Sequence, residues 1–347
     1  MSEIRVGIVG LGANTRLRHV PGLLAQDDVK IAAVVNRSRE SSERAANEFN
    51  IPKIHDSWEQ LVNSDEIDAV VIGTWPYMHC EVTLAALAAG KHVLSEARMA
   101  MNLDEAQRMY DASQKHSELV TQIVPSPLGF RCGNRLADLI TDGFIGELRE
   151  VVVLAGGSDF ADADAALHWR QNADYSGINM LALGIIHEPL TRWISEPTKV
   201  FADLHSFTPN RLNAETNEVV PVGTPDSLRV LTHLPSGARG TYHLSGVMHH
   251  GPGMQIHLYG SAGTIKYLLN PEDKLFAGKC NDSELKEVEV SQQEAGYWRV
   301  EEEFIQAIRG IAPVKLNDFD TGLRYMRFTE MVARSAADGS WHEVAVQ

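Results

Sequence analysis

A buried apolar run that ends in Gly-x-Gly constrains this chain more than any other feature. Residues 4–21 read IRVGIVGLGANTRLRHVP. Val6-Gly7-Ile8-Val9 has no polar face, the pattern of a short parallel strand covered on both sides. Gly10-Leu11-Gly12 follows directly, and glycines let a backbone turn tightly and come close to a ligand. A helix starting near Ala13 aims its unpartnered N–H groups at the same point. Gly10, Gly12, Ala13, Asn14 and Thr15 are therefore expected to form a pyrophosphate cradle. The G-x-G-x-x-G pattern is incomplete, because Thr15 stands where the third glycine belongs; its place straight after a strand restores weight to the motif.

The pattern then repeats. A helix is expected over 15–26 and a second buried strand over 30–35, ending in Asn36-Arg37-Ser38. In a dinucleotide fold the adenosine ribose sits there, and an acidic residue would hold the 2′-hydroxyl of NAD. Asn36 is neutral, Ser38 offers a hydroxyl, and the Arg37 guanidinium can pair a 2′-phosphate, so NADP is expected, with NAD the alternative. Helices over 39–49 and 58–62 lead to a third strand, 69–73, and to Thr74-Trp75-Pro76-Tyr77-Met78-His79. A helix over 80–89, a strand at 92–95, Glu96-Ala97-Arg98, a helix over 103–116 and a strand over 119–124 complete an alternating series. Such alternation predicts an α/β fold with a doubly wound parallel sheet, a Rossmann domain over residues 1–125. Its ligand is expected beyond the carboxyl ends of the strands, where these loops converge.

Past Pro125-Ser126-Pro127 the pattern changes. After a helix over 134–142 come longer segments that alternate apolar and polar residues, from REVVVLAGG to LKEVEV, as in an antiparallel sheet with one solvated face. Residues 126–347 are therefore expected to be an α+β domain on a large open sheet, with helices over 302–309 and 320–337, the last of which can return to the first domain. The open face is expected to be covered by a second copy, giving a homodimer or homotetramer through this sheet. A net charge of −15 argues against nucleic acid or a membrane surface as partner. Three widely spaced cysteines, no signal-peptide pattern and no run of about 20 apolar residues point to a cytoplasmic protein. No cluster has metal-ligand spacing; His249-His250 lacks further ligands.

The chain resembles the glucose–fructose oxidoreductase/inositol dehydrogenase (Gfo/Idh/MocA) family along its whole length. The resemblance rests on an ordered set: Gly10-Leu11-Gly12, the Thr74–His79 loop, AGKHVLSEARMA (89–100), Trp169-Arg170, Ser176–His187, YGSAGTIKY and FDTGLRYMRFTEMVARSA. It implies an NAD(P)-binding N-terminal domain, an antiparallel-sheet C-terminal domain, and hydride transfer in the cleft between them. The implied substrates are carbohydrate-like: sugars, cyclitols, their acids or glycosides. Thr74, Trp75, Pro76, His79, Glu96 and Ala97 fall on the implied cofactor loops, and His168, Trp169, Arg170 and Tyr175 on the implied substrate side.

The residues the family uses for acid–base work are missing. Where the family has Glu-Lys-Pro, this chain has Glu96-Ala97-Arg98. Arg98 supplies a cation but no base near neutral pH. Aligned on Gly184, the family's Asp position is Ala182 and its His position is Ile186. His187 comes one residue late, a rotation of about 100° on a regular helix, which a one-residue bulge near Pro189 would correct. Otherwise His187 is a packed histidine and Glu188 the alternative titrating group. Asn179 is expected on the same helix face as Ala182, within reach of a sugar hydroxyl. Arg98, Asn179 and His187 are thus the candidates around the reacting carbon. Three functions remain open: a sugar, sugar-acid or cyclitol dehydrogenase; a redox-neutral enzyme that cleaves a glycoside through a transient keto-sugar; and a non-catalytic nucleotide-binding regulator.

Overall fold

The computed structural model describes residues 3–344. The chain divides into two compact units, Met1–Pro125 with Arg299–Met326, and Ser126–Trp298 with Arg327–Gln347. The segment 299–326, which the sequence pattern assigns to the second domain, thus belongs with the first. In the first unit six strands lie in the order β3-β2-β1-β4-β5-β6, with every pair parallel. They are β1 (Ile4–Val9), β2 (Val29–Val35), β3 (Lys53–Ile54), β4 (Ala69–Ile72), β5 (His92–Ser95) and β6 (Thr121–Ile123). The central strands are buried on both faces, as their unbroken apolar runs require. The helices of this unit are α1 (Val20–Leu24), α2 (Arg39–Phe49), α3 (Trp58–Val62), α4 (His79–Ala88) and α5 (Leu103–Lys115), joined by α9 (Val300–Ile308) from the returning segment. A π-helical turn, Thr15–His19, runs straight into α1.

The second unit carries α6 (Phe130–Thr141), α7 (Ala173–Ser176) and α8 (Leu183–Thr191); α10 (Phe319–Asp338) spans the division between the units. Its nine-stranded sheet has the order β16-β15-β14-β13-β7-β12-β11-β8-β17, and β7 and β12 are its one parallel pair. The strands are β7 (Leu148–Gly156), β8 (Lys199–His205), β11 (Ser227–His233), β12 (Arg239–Ser245), β13 (Gly253–Gly260), β14 (Gly263–Asn270), β15 (Lys274–Lys279), β16 (Lys286–Glu287) and β17 (His342–Glu343). A separate hairpin pairs β9 (Asn210–Asn213) with β10 (Glu218–Pro221). One face of the large sheet buries Val151, Val153, Val230, Tyr242 and Leu258 against Leu136 of α6, Ile186 of α8 and Phe328 of α10. The other face keeps Leu231 and Tyr259 exposed.

The stretch 176–187 departs from the expected single helix. Gly177 (φ +61°) and Leu181 (φ +45°) both sit in the left-handed region, which interrupts helical hydrogen bonding. α7 therefore ends at Ser176 and α8 starts at Leu183. Asn179 lies in the loop between them and shares no helix face with Ala182.

Candidate active site

The first unit builds its site at the carboxyl ends of β1, β4 and β5. Gly10 has φ +84°, and a Cβ there would lie 2.6 Å from Thr74 Cγ2 and 2.9 Å from the Thr74 backbone nitrogen. Thr15 fills the third-glycine position without opening the turn. Its hydroxyl donates to Gly10 O at 3.4 Å, and the small residue that permits close packing is Gly73 on the facing strand end. Gly12, Ala13 and Asn14 are exposed at the start of the helical stretch, where the first N–H groups have no partner within the helix. A pyrophosphate fits this arrangement: a tight turn that excludes side chains, followed by a helix N-terminus.

Three polar groups, His19 and Glu301 buried and Glu96 partly so, sit behind the turn. His19 is fully buried on the π-helical turn, with Nδ1 2.5 Å from Glu301 Oε1 and Nε2 3.0 Å from Glu96 Oε1. Asn14 Nδ2 donates to the same Glu96 oxygen at 2.5 Å, and Ala97 N donates to Oε2 at 3.2 Å. Burial opposes charge on the His19 ring, but the hydrogen bonds to Glu301 and Glu96 outweigh it and push the imidazole up to about 9. Burial likewise opposes ionisation of Glu96, and its bonds from His19 and Asn14 hold its carboxyl below the usual range. Glu301 packs on Gly22, where a Cβ would come within 2.6 Å of Oε2. Sequence reasoning missed His19 and Glu301. The first belongs to a helix that reads as ordinary, and the second lies 282 residues away.

Glu96, Ala97 and Arg98 follow β5, and the Ala97–Arg98 peptide is cis. Arg98 is buried. His79 lies between two backbone carbonyls, Thr74 O at 3.0 Å and Arg98 O at 2.9 Å, and so ties the Thr74–Trp75–Pro76 loop to the Glu96–Arg98 loop. Burial lowers its imidazole. Pro76, also buried, opens a short turn that leads into α4. At the end of β2 the Asn36 side chain is occupied by the fold. Oδ1 accepts from Leu11 N at 2.6 Å and Nδ2 donates to Ser41 O at 3.1 Å. Ser38 caps α2 by accepting from Ser41 N at 3.2 Å. Arg37 is exposed beside it.

In the second unit, His168, Trp169, Arg170 and Tyr175 cluster around a short turn. The Arg170 guanidinium lies over the Trp169 ring at 4.3 Å, and Arg170 N donates to His168 Nδ1 at 3.2 Å. With Nδ1 accepting, the neutral His168 ring carries its proton on Nε2; burial, then Arg170, lowers its pKa. Tyr175 donates to Glu215 at 3.3 Å. Asn179 is buried and donates to Ser176 O at 2.7 Å.

His187 is in the core of this unit. α8 is α-helical throughout and holds no bulge to turn the ring. The imidazole is fully buried, stacks on Phe328 at 3.6 Å, and lies 2.8 Å from the Tyr242 hydroxyl through Nδ1. The cavity it lines within this unit measures about 10 Å³, the space of one water. Glu188 is also structural: it accepts from Ser126 N and from Arg192 Nε and Nη2 at 2.9, 2.7 and 2.6 Å. Among the described residues there is no group of three metal-ligating side chains, and no helix is long and apolar enough to cross a membrane.

A family model for the Gfo/Idh/MocA oxidoreductases with an NAD-binding Rossmann fold matches residues 4–123, and the family's C-terminal domain model matches residues 134–266. The chain belongs to this family of NAD(P)-dependent oxidoreductases. It is similar to the trans-1,2-dihydrobenzene-1,2-diol dehydrogenase of Mus musculus, with 29% identity over 69% of this chain and 67% of that protein. It is 26% identical to the inositol 2-dehydrogenase of Serratia proteamaculans over 51% of this chain and 57% of that one. Its fold matches levoglucosan dehydrogenase in complex with NADH and L-sorbose, with TM-score 0.85 and 20% identity over 100% of both chains.

Proposed function

We propose that this enzyme transfers hydride between NADP and a secondary hydroxyl or ketone of a sugar, sugar acid or cyclitol in the cytoplasm, with NAD as the alternative cofactor. The observation that carries the cofactor choice is the end of β2. Asn36 is spent on Leu11 and Ser41, no acidic side chain stands at that position, and Arg37 lies next to the N-terminus of α2. A 2′-phosphate gains from that dipole and that cation. The dehydrogenation chemistry belongs to the nicotinamide when it is bound. Gly10, Gly12, Ala13, Asn14 and Thr15 hold the pyrophosphate, and Thr74, Trp75, Pro76, His79, Glu96 and Ala97 border the cofactor. Arg98 supplies a cation for the alkoxide, and His168, Trp169, Arg170 and Tyr175 bind substrate hydroxyls. In its Nε2–H tautomer, His168 donates to a substrate oxygen. The relatives named for diols, inositol and levoglucosan support the substrate class.

The test is product analysis with a panel of sugars, sugar acids, inositols and glycosides, each with NADP and with NAD, while nicotinamide absorbance is followed. A product two hydrogens lighter with matching reduced cofactor supports the reading. A cleaved glycoside with no net cofactor change supports a redox-neutral cycle instead. The observation favouring that second reading is Ala97, which cannot move a proton where the family has Lys. Binding without turnover across the panel supports a regulator. The exposed sheet face with Leu231 and Tyr259 supports a homodimer or homotetramer; Leu231→Glu is expected to dissociate it in light scattering.

A further inference from the structure

We propose that His19 is a positioning residue for the bound dinucleotide: locked as an imidazolium between Glu96 and Glu301, it fixes Asn14 and with it the phosphate-facing turn. The inference rests on the dinucleotide reading of that turn. Both His19 nitrogens face carboxylate oxygens, at 2.5 and 3.0 Å. Ionised carboxylates only accept, so both nitrogens must carry protons. Asn14 and His19 are five residues apart, about 140° apart around a regular α-helix. The π-helical turn instead brings residues i and i+5 over one another, so that Asn14 Nδ2 lies 3.5 Å from His19 Nε2 and both address Glu96 Oε1. The glycine turn and the loop after β5 are thereby joined through one carboxylate oxygen.

Loss of the imidazolium proton presents a lone pair to one of the two carboxylates. That contact turns repulsive, Glu96 or Glu301 moves, and Asn14 loses its fixed partner. The charged groups facing the ring are Glu301 from α9 and Glu96 after β5; His79 on α4 lies beyond Glu96. On the ring's own turn, Arg16 pairs with Glu48. α1 contributes no side chain at Gly22, which leaves room for the Glu301 carboxylate.

The experiment is a fluorescence titration of the full chain with NADPH and with NADH between pH 7 and 10, with thermal midpoints measured in parallel. Wild-type affinity is expected to be flat near neutrality and to fall as pH rises through about 9. His19→Gln is expected to bind about 10- to 100-fold more weakly at pH 7 and to lack that break. Glu301→Gln removes one of the two charges on the ring and is expected to move the break to lower pH. A folded His19→Gln with wild-type affinity and the same pH response overturns the proposal. If that variant does not fold, a break left in place by Glu301→Gln overturns it. Wild-type protein that binds neither NADPH nor NADH overturns the cofactor reading itself, a result distinct from any effect confined to the variants.

Discussion

His19 and His187 are both fully buried, yet their surroundings give them opposite jobs. In the first unit His19 has a carboxylate on each nitrogen. In the second, His187 has the face of Phe328 at 3.6 Å and the hydroxyl of Tyr242 at 2.8 Å, neither of which carries charge. Burial alone therefore says nothing about whether a histidine works as an ion. Partners count as much as burial: two carboxylates outweigh the desolvation of His19, while His187 stacks on Phe328 and meets the Tyr242 hydroxyl.

The comparison breaks most readily at His187. His187→Ala leaves a ring-sized hole between α8 and Phe328 and is expected to cost about 3–5 kcal/mol in denaturant unfolding. His187→Phe refills the space and strands the Tyr242 hydroxyl, at about 1–3 kcal/mol. Its specific activity is expected to match wild type. A His187→Phe variant that folds normally but has lost turnover would return the ring to the reacting carbon. The next effect is a pH dependence at His19. Its folded pKa is raised from 6.5 to about 9, so the native state binds the proton more tightly than the unfolded chain does. The resulting stability is fully present below pH 6.5 and is lost as pH rises through 9. It amounts to about 3 kcal/mol on the scale of 1.36 kcal/mol per unit. Unfolding curves of wild type and His19→Gln across that window check the sign: the wild-type slope is expected to be the steeper, and equal slopes would remove the imidazolium.

The sequence carries the central elements of the first unit well, because β1, β2 and β4 hold buried apolar runs and three of the helices have a local capping signal. Ser38, Ser57 and Asn102 cap α2, α3 and α5, and all three accept from the backbone N–H three residues on. Thr15 in the glycine pattern is also intelligible locally once Gly73 is seen to supply the missing space. The site is less legible, for a different reason in each unit. Glu301 reaches His19 from the far end of the chain, and no local pattern encodes that pairing. In the second unit the helical reading of 176–187 fails at Leu181, a non-glycine residue at positive φ that tertiary packing holds there. Alignment on Gly184 places His187 one residue late, and α8, α-helical throughout, keeps it so.

The smallest expected effect sharpens the same distinction, between a polar group held by the fold and one offered to a ligand, at the end of β2. Asn36 makes two bonds of opposite sense, accepting from Leu11 N at 2.6 Å and donating to Ser41 O at 3.1 Å. Asn36→Asp keeps the first bond and turns the second into oxygen facing oxygen, so a stability loss of about 1–2 kcal/mol is expected. It also places a negative charge where a 2′-phosphate is proposed to lie, which is expected to weaken NADPH binding by about tenfold or more while leaving NADH binding equal or stronger. Arg37→Ala removes the proposed phosphate partner and is expected to weaken NADPH by about tenfold while leaving NADH binding unchanged. If Arg37→Ala leaves NADPH binding unchanged while Asn36→Asp weakens NADPH and NADH alike, the end of β2 acts only through the shape of the glycine turn, and the NADP preference loses its physical basis.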